Sequence, residues 1–208
     1  MEHPFIDVRL LASNLALTRT YLRFASLTLC IYTVLYGVTE WIGTARGMSS
    51  MESGLMLLPM SALSAVVVGP ISKRNLILGP LMVSALASIV ASIGVLFLTA
   101  STPMIWILTI TFIFGITMGT MVSGNQIALY TQVTADQIGT ASGLFRTFGY
   151  IGSIASSALI GIVFHQKVSD EGMHHIALIM IAISIIALVM TLTDRRLRES
   201  AKAARANA

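Results

Sequence analysis

Two ionisable side chains interrupt long apolar runs in this sequence: Arg146, in GLFRTFGY, and Glu40, in YGVTEWIG. In an apolar medium each costs at least about 2.5–3.5 kcal/mol on insertion scales, so each needs a partner or a task. A guanidinium one to two helical turns into such a run can hold an anionic ligand group or a carboxylate from another chain segment. It can equally snorkel to the nearer surface, or pair with Asp136 or Asp194. A carboxylate at Glu40 can titrate in proton exchange or attract cations. Beside Trp41 and close to the end of its run, it also fits an interfacial acid paired with Arg46. Asn125 and Gln126 close another apolar run, where amides bind a polar ligand or join two helices. Tyr32, Tyr36 and Tyr150 can face a cavity or simply pack, and the 12 methionines suit a pliable apolar wall or a lipid-facing one.

Two other chemistries are weighed on the same residues. A serine nucleophile needs a histidine base at hydrogen-bond distance. Ser123, in Met121-Val122-Ser123-Gly124, stands toward the opposite end of its run from the side on which His174 and His175 begin theirs. A metal site could draw on His165, His174 and His175 with Asp170 and Glu171, but the spacing gives no tight helical ligand pair, and an ordinary polar loop explains it. No catalytic residue, metal ligand or cofactor is assigned.

The elements that must position these residues follow from composition. Of the 208 residues 55% are hydrophobic and only 11% charged, with a mean hydropathy of +0.84. Soluble domains carry about 25% charged residues, so this chain cannot cover a water-facing surface and its solvent is largely lipid. A spanning helix needs about 20 apolar residues. Six segments qualify: Leu22–Gly43, Ser53–Ile71, Leu76–Thr99, Pro103–Ile127, Gly139–Phe164 and His174–Thr193. The runs are long and lack the alternation of a membrane barrel. The expected fold is therefore all-α and integral to the membrane, with a lead-in over 1–20, a six-helix bundle over 21–193 and a basic tail over 194–208. Residues Pro4–Thr20 alternatively form an interfacial amphipathic helix.

Orientation follows from Lys and Arg. Arg9, Arg19, Arg23, Lys73, Arg74, Arg195, Arg196, Arg198, Lys202 and Arg205 lie on the side of the two termini, against Arg46 and Lys167 opposite. That asymmetry predicts cytoplasmic termini. The net charge of +4 is thereby explained by topology, and nucleic acid is not an expected partner. The opening MEHPFIDVRL has no apolar core, so the first hydrophobic segment is expected to insert and remain. Cys30, the single cysteine, leaves no intrachain disulfide. Three spans outward and three back fit a three-plus-three inverted repeat. Small residues recur at helical spacing as Gly115 and Gly119 in the fourth span and Gly139, Gly143, Gly149 and Gly152 in the fifth, an expected packing pattern in lipid.

The stretch Phe114–Phe164 resembles the last helices of fourteen-helix drug:proton antiporters of the major facilitator superfamily. Gly139, Ala141, Ser142, Gly143 and Leu144 match the G-x-A-S-G-L start of one such helix. Upstream, Gly54, Leu55, Leu58 and Pro59 match the family's G-L-x-x-L-P helix, and Pro4–Leu11 looks like the segment that introduces its C-terminal six helices. The resemblance implies the C-terminal half of a secondary active, proton-coupled efflux transporter for small molecules or drugs in the plasma (inner) membrane. It also implies that a second six-helix bundle is required, either an N-terminal half or another copy of this chain, and that the missing half holds the signature loop motif and the proton-coupling carboxylate. Arg146, Glu40, Asn125 and Gln126 are then the candidate pathway residues. Two positions depart from the family pattern. Gly149 stands where relatives often carry a basic residue, with Arg146 about a turn earlier, and the Lys73-Arg74 turn lacks an acid. A non-transporting membrane subunit, scaffold or inactive remnant is the alternative reading.

Overall fold

The computed structural model describes residues 14–194 and Leu197. Within them six helices are long and apolar enough to cross a membrane: Leu15–Arg46, Ser50–Lys73, Leu78–Leu96, Met104–Tyr130, Ala135–Val163 and Asp170–Thr193. No strand occurs among the described residues. All six correspond to the apolar runs of the sequence, and their ends are set by local chemistry. Asn14 caps the first span by accepting from Leu17 N at 3.2 Å, so the helix starts inside the stretch expected as lead-in. Gly47, at φ +65°, closes that span in the left-handed conformation a glycine adopts without strain. Ser49 and Glu52 then form a reciprocal capping box that opens the second span. Ser169 caps the sixth by accepting from Gly172 N at 3.1 Å.

The first span is not a uniform α-helix. Val34–Val38 is a π-helical segment between Leu15–Thr33 and Thr39–Arg46. A π-turn inserts an extra residue into the turn and re-aims the side chains beyond it; such turns are frequent at functional positions.

Helix pairing carries the two-fold logic of the expected repeat. The second span packs along the fourth and the fifth along the first, while the third and sixth pack together. The first span also crosses the fourth. Exchanging the first triplet with the second converts the 2-on-4 pairing into 5-on-1 and leaves 3-on-6 and 1-on-4 unchanged. The third span leans on the fourth more closely than the sixth leans on the first, so the exchange is approximate.

Lipid supplies no hydrophobic drive between helices, so shape and polar contacts must hold the bundle. The core is lined by Leu27, Val34, Trp41, Phe114 and Ile176, each fully buried or nearly so. Small hydroxyls stitch it: Ser88 Oγ lies 2.7 Å from Ser184 Oγ, and Thr33 Oγ1 2.9 Å from Ser156 Oγ. Cys30 is buried against Ser184, with Sγ 3.7 Å from its Oγ. The second and fifth spans are the least covered within the chain, which leaves long apolar faces outward. The segment Pro4–Leu11, most of the interfacial stretch and nearly all of the basic tail lie outside the described residues.

Candidate functional site

A cleft of about 440 Å³ opens between the first, fourth and fifth spans. Its first-span wall is Phe24, Thr28, Ile31, Tyr32 and Leu35; its fourth-span wall is Met118, Met121, Val122, Gln126, Leu129 and Tyr130. The fifth span contributes Ser142, Phe145, Arg146, Gly149 and Tyr150. Aromatic rings line it closely: Phe24 and Phe145 stack with centroids 3.8 Å apart. The exposed side chains of Gln126, Tyr130, Arg146 and Tyr150 mark its open edge, Tyr150 at 66% exposure.

The structure separates the four candidate pathway residues. Arg146 and Gln126 stand on the cleft. Arg146 has no hydrogen bond or ion pair to any described residue, and the two acids named as its alternative partners are elsewhere engaged or absent from it. Gln126 donates from Nε2 to the Tyr130 hydroxyl at 2.8 Å, which leaves its amide oxygen and the Tyr130 proton free for a ligand. Asn125, one residue earlier and therefore about 100° around the helix, is fully buried away from the cleft. Glu40 is exposed near the C-terminal end of the first span and does not line the cleft. Arg46, expected as its alternative partner, donates instead to the Thr102 carbonyl at 2.6 Å. Of the three tyrosines, Tyr32 and Tyr150 line the cleft; Tyr36 packs its ring on Tyr32 at 5.5 Å and is not part of the wall.

A third intramembrane charge, which sequence reasoning had assigned to the helix end, lies beside this cleft. Arg23 is 0% exposed and Asp194 1%. Because the first helix begins at Leu15, Arg23 lies eight residues, roughly 12 Å, along it. Its Nε donates to Asn125 Oδ1 at 2.8 Å and its Nη2 to Thr20 Oγ1 at 3.3 Å, while Nη1 faces Asp194 Oδ2 at 3.8 Å. Asn125 in turn donates to the Met121 carbonyl. Thr20 donates to Gln132 Oε1 at 3.1 Å, and Asn14 Nδ2 reaches the Gln132 carbonyl at 3.0 Å. One guanidinium thus ties the starts and ends of the first, fourth and sixth spans together. Asp194 therefore belongs to Arg23 and not to Arg146. The signal available in the sequence was an arginine within a run of apolar residues, Tyr21-Leu22-Arg23-Phe24, next to an acid at the end of the last run.

The Major Facilitator Superfamily model matches residues 2–157. The chain belongs to that superfamily. An uncharacterised MFS-type transporter of Bacillus subtilis, YwoD, is 28% identical over 204 residues, which cover 96% of this chain and 45% of the relative. A second from the same organism, YvkA, is 28% identical over 199 residues, or 92% of this chain and 42% of the relative. The Tetracenomycin C resistance and export protein of Streptomyces glaucescens is 28% identical over 143 residues, 65% of this chain and 26% of that protein. The chain spans less than half the length of the curated relatives it matches. It is a multi-pass membrane protein of a transporter family.

In this facilitator bundle the glycines divide into two sets. A Cβ built on Gly115 would stand 2.7 Å from the Met60 carbonyl oxygen, and one on Gly119 2.9 Å from that of Ser64, both on the second span. On the fifth span, a Cβ at Gly152 would meet the Ala25 oxygen at 2.4 Å, and at Gly149 the Phe24 ring at 2.9 Å. These four make the two symmetry-related pairings close. Gly139 and Gly143 differ: nothing among the described residues lies within 4 Å of either Cβ position, so they face away from the described helices.

The end of the facilitator bundle opposite Arg23 is fastened through one carboxylate. Asp170, opening the sixth span, accepts from Trp41 Nε1 at 2.9 Å through one oxygen and from Ala100 N at 3.0 Å through the other. His174 sits 2.8 Å from the Leu98 carbonyl, and His165 Nδ1 2.9 Å from the Ile162 carbonyl. Of the histidines and acids considered as metal ligands, His165, His174 and Asp170 are thus turned to separate backbone or indole partners, and no group of three lies together among the described residues. Asp170→Ala would strand the buried Trp41 donor and a loop amide. The expected cost is about 1–3 kcal/mol, read as a lowered midpoint of unfolding in detergent micelles, whereas Glu171→Ala, on the exposed side of the same turn, should change the midpoint little.

Proposed function

We propose that this chain is the C-terminal six-helix bundle of a proton-coupled efflux transporter of the drug:proton branch, working in the plasma membrane with both termini cytoplasmic. The observation that carries the reading is the cleft between the first, fourth and fifth spans, whose open edge displays Arg146, Gln126, Tyr130 and Tyr150 and whose missing wall a second bundle would supply. Three further facts support it: membership of the superfamily, a relative described as a resistance and export protein, and a chain length under half that of its relatives. The pore partner is an N-terminal six-helix half or a second copy of this chain. The substrate is a small molecule held in the shared cleft; a carboxylate in the partner carries the coupling proton, and Glu40 stands at the outer approach.

Reconstitution into proteoliposomes tests this directly. The chain is inserted alone and with a candidate N-terminal half, and uptake of a fluorescent organic substrate is followed under an imposed pH gradient. Gradient-dependent uptake with the partner is the expected result, and uptake by the chain alone would identify the partner as a second copy. Absence of uptake in both cases, with the bundle shown to be folded, would overturn the transport reading and favour a subunit or scaffold.

A further inference from the structure

We propose that the cleft selects aromatic anions, with Arg146 as the residue that fixes their charge. The inference rests on the transport reading only for what happens after binding; the binding chemistry stands on the cleft itself. Among the described lining residues there is no Asp or Glu, and Arg146 is the one side chain charged at neutral pH. It is exposed on the cleft edge and has no hydrogen-bond or ion-pair partner among the described residues. Among the described acids, Asp194 faces Arg23 at 3.8 Å, Asp136 forms no ion pair with Arg146, and Glu40 does not line the cleft.

Around that cation the wall is aromatic and soft. The stacked Phe24–Phe145 pair, Tyr150 and Tyr32 present ring faces and edges, and Met118 and Met121 fill between them. Such a wall favours flat, unsaturated ligands. Beside the free Gln126 amide oxygen, the wall also offers hydrogen-bond donors. Tyr130 accepts from Gln126 and so has its own proton to give. Thr28, on the same wall, holds a buried hydroxyl without a hydrogen-bond partner among the described residues. At this edge a ligand cation would be repelled by the guanidinium. A carboxylate or phenolate would be drawn to its fork of donors. The ligand class is therefore a planar aromatic carrying a carboxylate or phenolate at one edge.

The test uses two dyes built on one xanthene ring: fluorescein, an anion at neutral pH, and tetramethylrhodamine methyl ester, a cation. Binding to the chain in nanodiscs is followed by fluorescence anisotropy, with empty nanodiscs subtracted. The wild-type chain is expected to prefer fluorescein. Arg146→Gln should weaken fluorescein by about ten- to a hundred-fold, the loss of a charge-assisted contact, and leave the cationic dye unchanged. Arg146→Lys should recover part of the affinity, since it restores the charge without the fork. Because Arg146 has no hydrogen-bond or ion-pair partner among the described residues, both variants should keep the wild-type unfolding midpoint, which separates a lost ligand contact from a lost fold. Preference for the cationic dye, an equal response of both dyes to Arg146→Gln, or no specific binding of either would overturn the proposal. Failure of transport is read separately: Arg146-dependent fluorescein binding without gradient-driven uptake beside a partner half would leave the anion site standing and remove the transporter around it.

Discussion

Arg23→Leu is expected to destabilise the bundle by about 3–5 kcal/mol, the cost of leaving a buried carboxylate without its counter-charge. The substitution removes more than the ion pair. Asn125 Oδ1 loses the donor at 2.8 Å, Thr20 loses the guanidinium that shares its hydroxyl, and Asp194, 1% exposed, loses the cation it faces among the described residues. The reciprocal change, Asp194→Leu, strands the guanidinium in the same way. Taking out both charges is the decisive arm, because a buried pair replaced by apolar residues of similar size is often neutral in stability. The double variant Arg23→Leu with Asp194→Leu should therefore recover most of the loss, and the coupling is read as the difference between the double change and the sum of the singles. Equilibrium unfolding of purified chain in mixed micelles supplies the numbers. Single-variant losses below about 1 kcal/mol, the range of solvated surface pairs, would mean that water reaches this pair and that the network is not what holds these helix ends together.

This pair also marks the boundary of what the sequence made legible. Six apolar runs of spanning length gave six spans, because lipid imposes a length requirement that composition alone can meet. The start of the first helix was not legible: Leu15–Tyr21 is polar enough to pass for a lead-in, and only packing of Leu17 and Tyr21 against Leu129, Ala141, Leu144 and Phe145 makes it part of the bundle. That shift of a few residues moved Arg23 from the surface into the interior. The neighbours Asn125 and Gln126 make the same point on a smaller scale. The fourth span is apolar all round, so its sequence has no polar stripe to say which face meets the cleft, and the two amides point to different surroundings. Arg146 was legible as an intramembrane charge from its type and depth. Its lack of a partner was not, since that depends on Asp194 being taken by Arg23 through a contact 171 residues apart.

Gly152→Leu is expected to damage the bundle as severely, and by a mechanism that the neighbouring glycines can isolate. The added Cβ would lie 2.4 Å from the Ala25 carbonyl oxygen and 3.1 Å from Leu29 N. Both are backbone atoms of the first span, so no side-chain rotation relieves the clash and the two helices must separate. Overpacking of this kind costs about 1–3 kcal/mol where side chains can adjust, and more where backbone must move. At Gly149 the obstacle is instead the Phe24 ring edge, at 2.9 Å. Gly149→Ala should be milder in stability, but the displaced Phe24 belongs to the cleft, so ligand affinity falls while the fold holds. A Cβ at Gly143 meets nothing within 4 Å among the described residues, and Gly143→Leu should alter stability by no more than about 0.5 kcal/mol, as substitutions away from contacts do. The predicted order, Gly152→Leu far below Gly149→Ala and Gly143→Leu near wild type, is measurable by unfolding midpoints in micelles. An equal loss at Gly143 and Gly152 would mean that small size is demanded along the whole fifth span for reasons internal to this bundle. The predicted order instead assigns the inner pair of glycines to the first span and leaves the face of Gly139 and Gly143 free for the second bundle that the proposed transporter requires.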